Sequence, residues 1–432
     1  MDMCKHPIFT LHALTVACCL YAGGAHASAM LGAYVDYDGW NTTTIDQLNA
    51  VTTKPLSVVN LFSGFDQDWT SLSVQATNIV SRHAAPMITW MPSQSARPDS
   101  NLLGEINSGQ WNAYIDNWIA GLKNWQATYP ADKRPTVLLR FAHEFNGNWY
   151  AWGNDPDGLK TAWRYLYTRF AQAGVTGVEW VWCANNVNVD SYNDISRYYP
   201  GDDVVDWTSL DGYNWGSNYS FTQWKGFAET FSAPYAKLVT NYPTKPILLA
   251  EVASAEPADV PNPLYGQNGN DSDVGQSKEA WVQDMYTRIM AEYPAIRAVS
   301  WFNTNKELSW ALNGAGNTGL VAYNVVAANG YYSPVFTPLI TAAPAPATPT
   351  DSTTTTNTKG GKSGGGGGKK TSTSTMTTLS VTESTRDTGL QRALAVSHMP
   401  VVVGEKLLER EAEGFRSLSQ SALQALRKER VR

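Results

Sequence analysis

The sequence predicts an α/β chain built on a (β/α)8 TIM barrel, and three observations carry that reading. Eight short apolar runs recur between residues 30 and 341, at 31–35, 56–62, 85–91, 136–144, 177–184, 207–215, 246–252 and 296–302. Each has strand length and is apolar on both faces, as parallel strands roofed by helices must be. Stretches with apolar residues at helical spacing lie between them, 110–125 and 158–173 among them. Strand–helix alternation repeated eight times closes into a barrel. A doubly wound open sheet is the competing fold. It calls for a Gly-rich G-x-G-x-x-G turn after the first strand, and none follows residues 31–35.

Taken in order, residues 1–29 come first. They begin with Lys5 and His6, run apolar over 8–20 and end in Ala25-His26-Ala27-Ser28-Ala29. A weakly basic start, an apolar middle and an Ala-x-Ala end predict a secretory signal peptide cut after Ala27 or Ala29. A retained membrane anchor is the rival, but the run is short for a span. The expectation is a secreted, extracellular protein with no membrane contact after cleavage. Cys4, Cys18 and Cys19 leave with the signal, and Cys183 remains. An internal disulfide and a cysteine-based zinc site are then excluded, so stability has to come from a large core.

Residues 30–341 are expected to form the barrel domain. At 342–375 the composition turns to Pro, Thr and Gly, with an unbroken glycine run at 364–368. Such a stretch buries too little apolar surface to order itself and reads as a linker. Residues 376–432 read as a polar tail, disordered or partly helical. There Leu408, Phe415, Leu418, Ala422 and Leu426 would line one helix face. Net charge is −6, which argues against a nucleic acid or an anionic membrane as partner. The 17 Trp and 21 Tyr suit stacking on the apolar faces of sugars and equally suit a large core.

The densest chemistry lies at Arg140-Phe141-Ala142-His143-Glu144-Phe145-Asn146-Gly147-Asn148-Trp149-Tyr150-Ala151-Trp152, which begins in the fourth apolar run. A carboxylate at the C-terminal end of a barrel strand stands at the mouth, where barrel enzymes work. Strand alternation predicts Leu138, Arg140, Ala142 and Glu144 on the side of the barrel axis. An Arg–Glu pair that merely closes the barrel top is the structural alternative. It accounts for the charges but not for the aromatic cluster and Asn-Gly turn that follow. His143-Glu144 also opens the metalloprotease motif, but that motif needs a second His one turn on, where Gly147 stands.

Glu251 ends the seventh run, in Lys245-Pro246-Ile247-Leu248-Leu249-Ala250-Glu251-Val252-Ala253-Ser254. Two strand-end glutamates at one mouth are what a retaining glycosidase needs. One attacks the anomeric carbon, and the other, protonated, hands a proton to the leaving oxygen. A gap of about 5–5.5 Å serves retention of configuration and roughly 6.5–9.5 Å inversion. Sequence leaves that choice open.

Arg140-x-x-His143-Glu144-x-Asn146-Gly147-x-Trp149-Tyr150 resembles the signature of glycoside hydrolase family 26, and Leu249-Ala250-Glu251 resembles that family's nucleophile strand. Asp211-Gly212-Tyr213-Asn214-Trp215 and Ser300-Trp301-Phe302 match as well. The resemblance covers most of residues 31–335 and implies a retaining endo-β-1,4-mannanase, monomeric, acting on polysaccharide with no metal or organic cofactor. It implies Glu144 as acid/base, Glu251 as nucleophile and His143 in contact with the sugar. Tyr213 would hold the nucleophile, Trp301 would lie beneath the sugar at the cleaved bond, and Trp149 would line the site nearby. Ala151 stands where many mannanases of the family have a bulkier aromatic. The Trp-Tyr-x-Trp loop is also similar to relatives acting on mixed-linkage glucan or xylan, so those substrates stay open. A catalytically dead carbohydrate-binding barrel is the reading from another class. Trp90, Trp152, Trp182, Trp215 and Trp310 are cleft candidates and core candidates alike.

Overall fold

A computed structural model describes residues 29–189, 191–259 and 269–339. The signal-peptide reading apart from Ala29, and the linker and tail readings, lie outside the described residues. Eight parallel strands form the ring: β1 (Ala29–Val35), β2 (Val58–Gly64), β3 (Ala85–Met91), β4 (Val137–Phe141), β5 (Val178–Asn185), β6 (Trp207–Asn214), β7 (Ile247–Ser254) and β8 (Ile296–Asn303). β1 is hydrogen-bonded to both β2 and β8, which closes the barrel, and a short β9 (Tyr332–Ser333) adds to β1. All of these pairings are parallel. Ala29, one of the two cleavage points, opens β1 and is fully buried.

Helices α1 (Thr43–Val51), α2 (Trp69–Val80), α3 (Leu103–Asn107), α4 (Asn112–Ala127), α5 (Pro156–Gln172), α6 (Phe227–Asn241), α7 (Lys278–Glu292) and α8 (Leu320–Ala327) run outside the ring. Short polar side chains start several of them. Asp68 caps α2, Ser277 caps α7, and Asp155 caps α5 just before Pro156. Each satisfies a backbone N–H that the first turn leaves bare. No helix among the described residues is long and apolar enough to cross a membrane.

Strand alternation divides the apolar residues between two cores. Met30, Val58, Met87, Leu138, Val181, Leu248 and Ala298 fill the inside of the ring, with Phe336 and Leu339 packed against them. Residues of the opposite parity, such as Leu61, Ile88, Leu139, Leu210, Leu249 and Val299, face the helices. The strands are buried on both faces for that reason, which is why they read as continuous apolar runs. At the floor, Glu179 accepts hydrogen bonds from the Trp207 indole at 2.7 Å and the Leu339 amide at 2.5 Å. Burial pushes its carboxyl up to about 7.

The fourth strand is shorter than residues 136–144. It ends at Phe141, because Ala142 and Glu144 take left-handed backbone angles, φ 47° and 52°. The predicted alternation therefore holds for Leu138 and Arg140 and fails at Ala142, which turns into the outer core.

Candidate active site

The left-handed turns carry the chain out of β4 and back across the mouth. The Glu144 amide reaches the Cys183 carbonyl at 2.9 Å. Asn146 staples the loop to β5, donating to the Asn185 carbonyl at 2.9 Å and accepting from the Asn185 amide at 2.8 Å. A Cβ at Gly147 would lie 2.4 Å from the Trp149 ring, so glycine lets the indole fold back beneath the turn. Folded back, Trp149 donates to Glu144 Oε2 at 2.7 Å, while Asn185 Nδ2 donates to Oε1 at 2.8 Å.

Glu251 arrives by a different device. Leu210 pairs with Leu249, but the next pair on that ladder is Asp211 with Glu251. The extra residue, Ala250, makes a bulge in β7. Leu248 and Ala250 already face inward, so strict alternation would turn Glu251 towards the helices. The bulge re-aims it into the ring, a common use of bulges beside sites. There its Oε2 accepts from the Tyr213 hydroxyl at 2.5 Å and its Oε1 from Arg140. Arg140 is fully buried and also donates to Asp211 at 2.7 Å and to Thr89 at 2.8 Å.

The two glutamates thus sit in opposite electrostatic settings. Burial, then the charge of Glu251, pushes the Glu144 carboxyl up to about 7 against the pull of Asn185, Trp149 and Arg140. Glu251 is paired directly with a guanidinium that cannot lose its proton. Burial and the Glu251 charge raise the Tyr213 phenol well above its ordinary range, so it stays a donor. Burial, then Arg140, hold the His143 imidazole neutral. Its Nε2 meets the Tyr150 hydroxyl at 2.9 Å, and its buried Nδ1 has no partner among the described residues. His143, Asp211 and Glu251 offer ligand atoms within 4.8 Å of one another. Arg140 is already ion-paired with both carboxylates, so a metal there would have to displace it.

His143, Glu144, Trp149, Tyr213 and Glu251 come together at the mouth. Trp301 does not join them. It pairs with Val252 and Ala33, both on the outward parity, and packs edge-on against Trp281 of α7 with its N–H on the Trp310 carbonyl at 3.0 Å. Its neighbour Phe302 lies nearer the mouth, stacked on Tyr34 at 5.0 Å and edge-on to Tyr213 at 5.7 Å. Trp90 and Trp182 belong to the outer core. Trp152 stacks on Tyr150 at 4.3 Å and donates to the His143 carbonyl. Trp310 is buried edge-on to Trp215, which together with Tyr34, Phe62, Tyr150 and Tyr213 keeps part of its ring open. Asn185 was missed by the sequence reading. Its signal was the pair of amides, Asn185-Asn186, immediately after the fifth apolar run.

The family model described as Glycosyl hydrolase family 26 matches residues 63–249, a stretch that holds Glu144 and stops short of Glu251. The chain is 29% identical over 335 residues to "Endoglucanase H" of Acetivibrio thermocellus, covering 76% of this chain and 33% of that protein. It is 38% identical over 95 residues to a mannan endo-1,4-beta-mannosidase of Thermothelomyces thermophilus, covering 22% of this chain and 18% of the other. These matches span well under two thirds of either relative's length. The catalytic domain of an endo-beta-1,4-mannanase from Bacillus sp. JAMB-750 shares the fold, with TM-score 0.54 at 15% identity, covering 71% of this chain and 87% of that one.

Proposed function

Because this chain belongs to glycosyl hydrolase family 26, we propose that it is a secreted endo-β-1,4-mannanase that works by double displacement. Glu251 attacks the anomeric carbon of a backbone sugar as Glu144 passes its proton to the leaving glycosidic oxygen, and the C–O bond breaks. Glu144, now a carboxylate, takes a proton from water. The water oxygen displaces Glu251 from the anomeric carbon, and both carboxyls return to their first state. The observation that carries the reading is the contrast between the two glutamates. One is buried among neutral donors with its carboxyl pushed up to about 7; the other accepts hydrogen bonds from the Arg140 guanidinium and the Tyr213 hydroxyl. Such a split is how one site supplies both an acid and a nucleophile.

A β-glucanase on the same scaffold is the second reading, favoured by the endoglucanase relative that matches 76% of this chain. Hydrolysis of galactomannan, mixed-linkage glucan and xylan, followed by reducing ends in the culture medium, separates the two. Galactomannan is expected to be cut, its first product keeping the β anomer by NMR. Activity on glucan with none on mannan replaces the substrate; an inverted anomer removes double displacement. Glu251→Ala is expected to abolish turnover and keep oligosaccharide binding, and intact hydrolysis in that variant would overturn the nucleophile.

A further inference from the structure

Lys278 is the first residue of α7, and its side chain is fully buried. Local physics disfavours it on both counts. A cation at a helix N-terminus opposes the helix dipole, and a lysine is almost never fully buried unless it is paired. What the ammonium holds has to explain its place. Nζ donates to the Ser309 carbonyl at 2.8 Å and to the Ala311 carbonyl at 2.7 Å, with the Glu256 carboxylate 3.4 Å away. Burial pulls the ammonium down to about 8 against the charge of Glu256, so it remains a cation at neutral pH.

Glu256 lies just past the end of β7 and is buried as well. It accepts from the Thr318 amide at 2.6 Å and from the Thr318 hydroxyl at 2.8 Å. The pair therefore grips the connection between β8 and α8 twice, by its carbonyls at 309 and 311 and by Thr318. Trp310 stands between the two carbonyls, and its own carbonyl is taken by the Trp301 N–H at 3.0 Å. Fixed in this way, the buried Trp310 ring lies 5.2 Å from the ring of Tyr213 and edge-on to Trp215 at 4.8 Å. Tyr213 in turn gives its hydroxyl to Glu251 at 2.5 Å. The indole is thus a wall behind the phenol.

We propose that Lys278 is a positioning residue for the reaction. With Glu256 it fixes the backbone around Trp310, and Trp310 keeps the Tyr213 hydroxyl aimed at Glu251. The ammonium holds backbone carbonyls and Glu256 rather than the reacting carboxyls, so its effect passes through the loop. Apolar side chains of similar volume often fill such a space as stably as a buried ion pair does. They would lack the directional bonds that leave the loop a single arrangement. The inference rests on the reading of Glu251 as the nucleophile.

Lys278→Met combined with Glu256→Gln removes both charges together, so neither is left buried and unpaired. In the full chain, on whichever polysaccharide of the panel the parent cuts, kcat is expected to fall about tenfold with KM little changed, as misaimed chemistry implies. In a Tyr213→Phe background the same two substitutions are expected to lower kcat no further, because the hydroxyl they position is already gone. Trp310→Leu leaves the ion pair in place and is expected to give the same pair of results. It decides the matter where the charge variant fails to fold. An unchanged kcat, or losses that simply add in the Tyr213→Phe background, overturns the positioning role. That result leaves the nucleophile standing as long as Glu251→Ala is inactive. Hydrolysis that survives in Glu251→Ala removes the nucleophile and the role of Lys278 with it.

Discussion

Glu144 takes its hydrogen bonds from an amide and an indole, neither of them charged, whereas Glu251 takes one from a guanidinium and one from a phenol. A donor aimed at a carboxylate favours the ionised form, so Trp149 holds the Glu144 carboxyl below the level that burial alone would set. Trp149→Phe is therefore expected to raise it. The alkaline limb of kcat/KM against pH, set by loss of the acid's proton, should move up by about one pH unit, as a hydrogen bond of ~1.5 kcal/mol to a charged group implies. An unmoved or lowered limb would show that the acid is another group. His143 was expected to touch the sugar. Its unpartnered Nδ1 and neutral ring fit it for a hydroxyl rather than for proton transfer.

At the scale of elements, both acids depend on breaks in regular strand geometry. β4 stops early through left-handed Ala142 and Glu144, and β7 gains a residue at Ala250. A non-glycine residue in left-handed backbone costs about 1–2 kcal/mol, more for a branched side chain. Ala142→Val is expected to lower stability by roughly 2 kcal/mol or more in urea unfolding and to cut kcat with it, since the turn aims Glu144. A variant as stable and active as the parent would remove the turn from the account. The eight strands were legible because burial on both faces leaves unbroken apolar runs. Arg140, Glu144 and Glu251 were legible as charges where such runs end. The bulge and the turns were not, because alanine and glutamate carry no side-chain mark of the backbone they will adopt. Nor was the direction of Trp301 legible, since an indole serves a cleft and a core equally well.

Across the whole molecule, three buried carboxyls, Asp38, Glu144 and Glu179, are each pushed up to about 7, with burial the first cause in every case. Between the ordinary carboxylate range and that value the folded chain binds more protons than the unfolded one. Stability therefore falls as pH rises through this window. Tm is expected to decline between about pH 5 and 7, and a flat or rising Tm would contradict the burial of these groups. The ring closure has a consequence of its own. β1, at one end of the described chain, is hydrogen-bonded to β8, near the other. Pairing of such distant segments is slow, and until the final strand emerges from the ribosome the sheet keeps an open seam. The nascent protein keeps that seam unzipped until β8 is made, so a product truncated before β8 would be left with the edges of β1 and β7 unpaired.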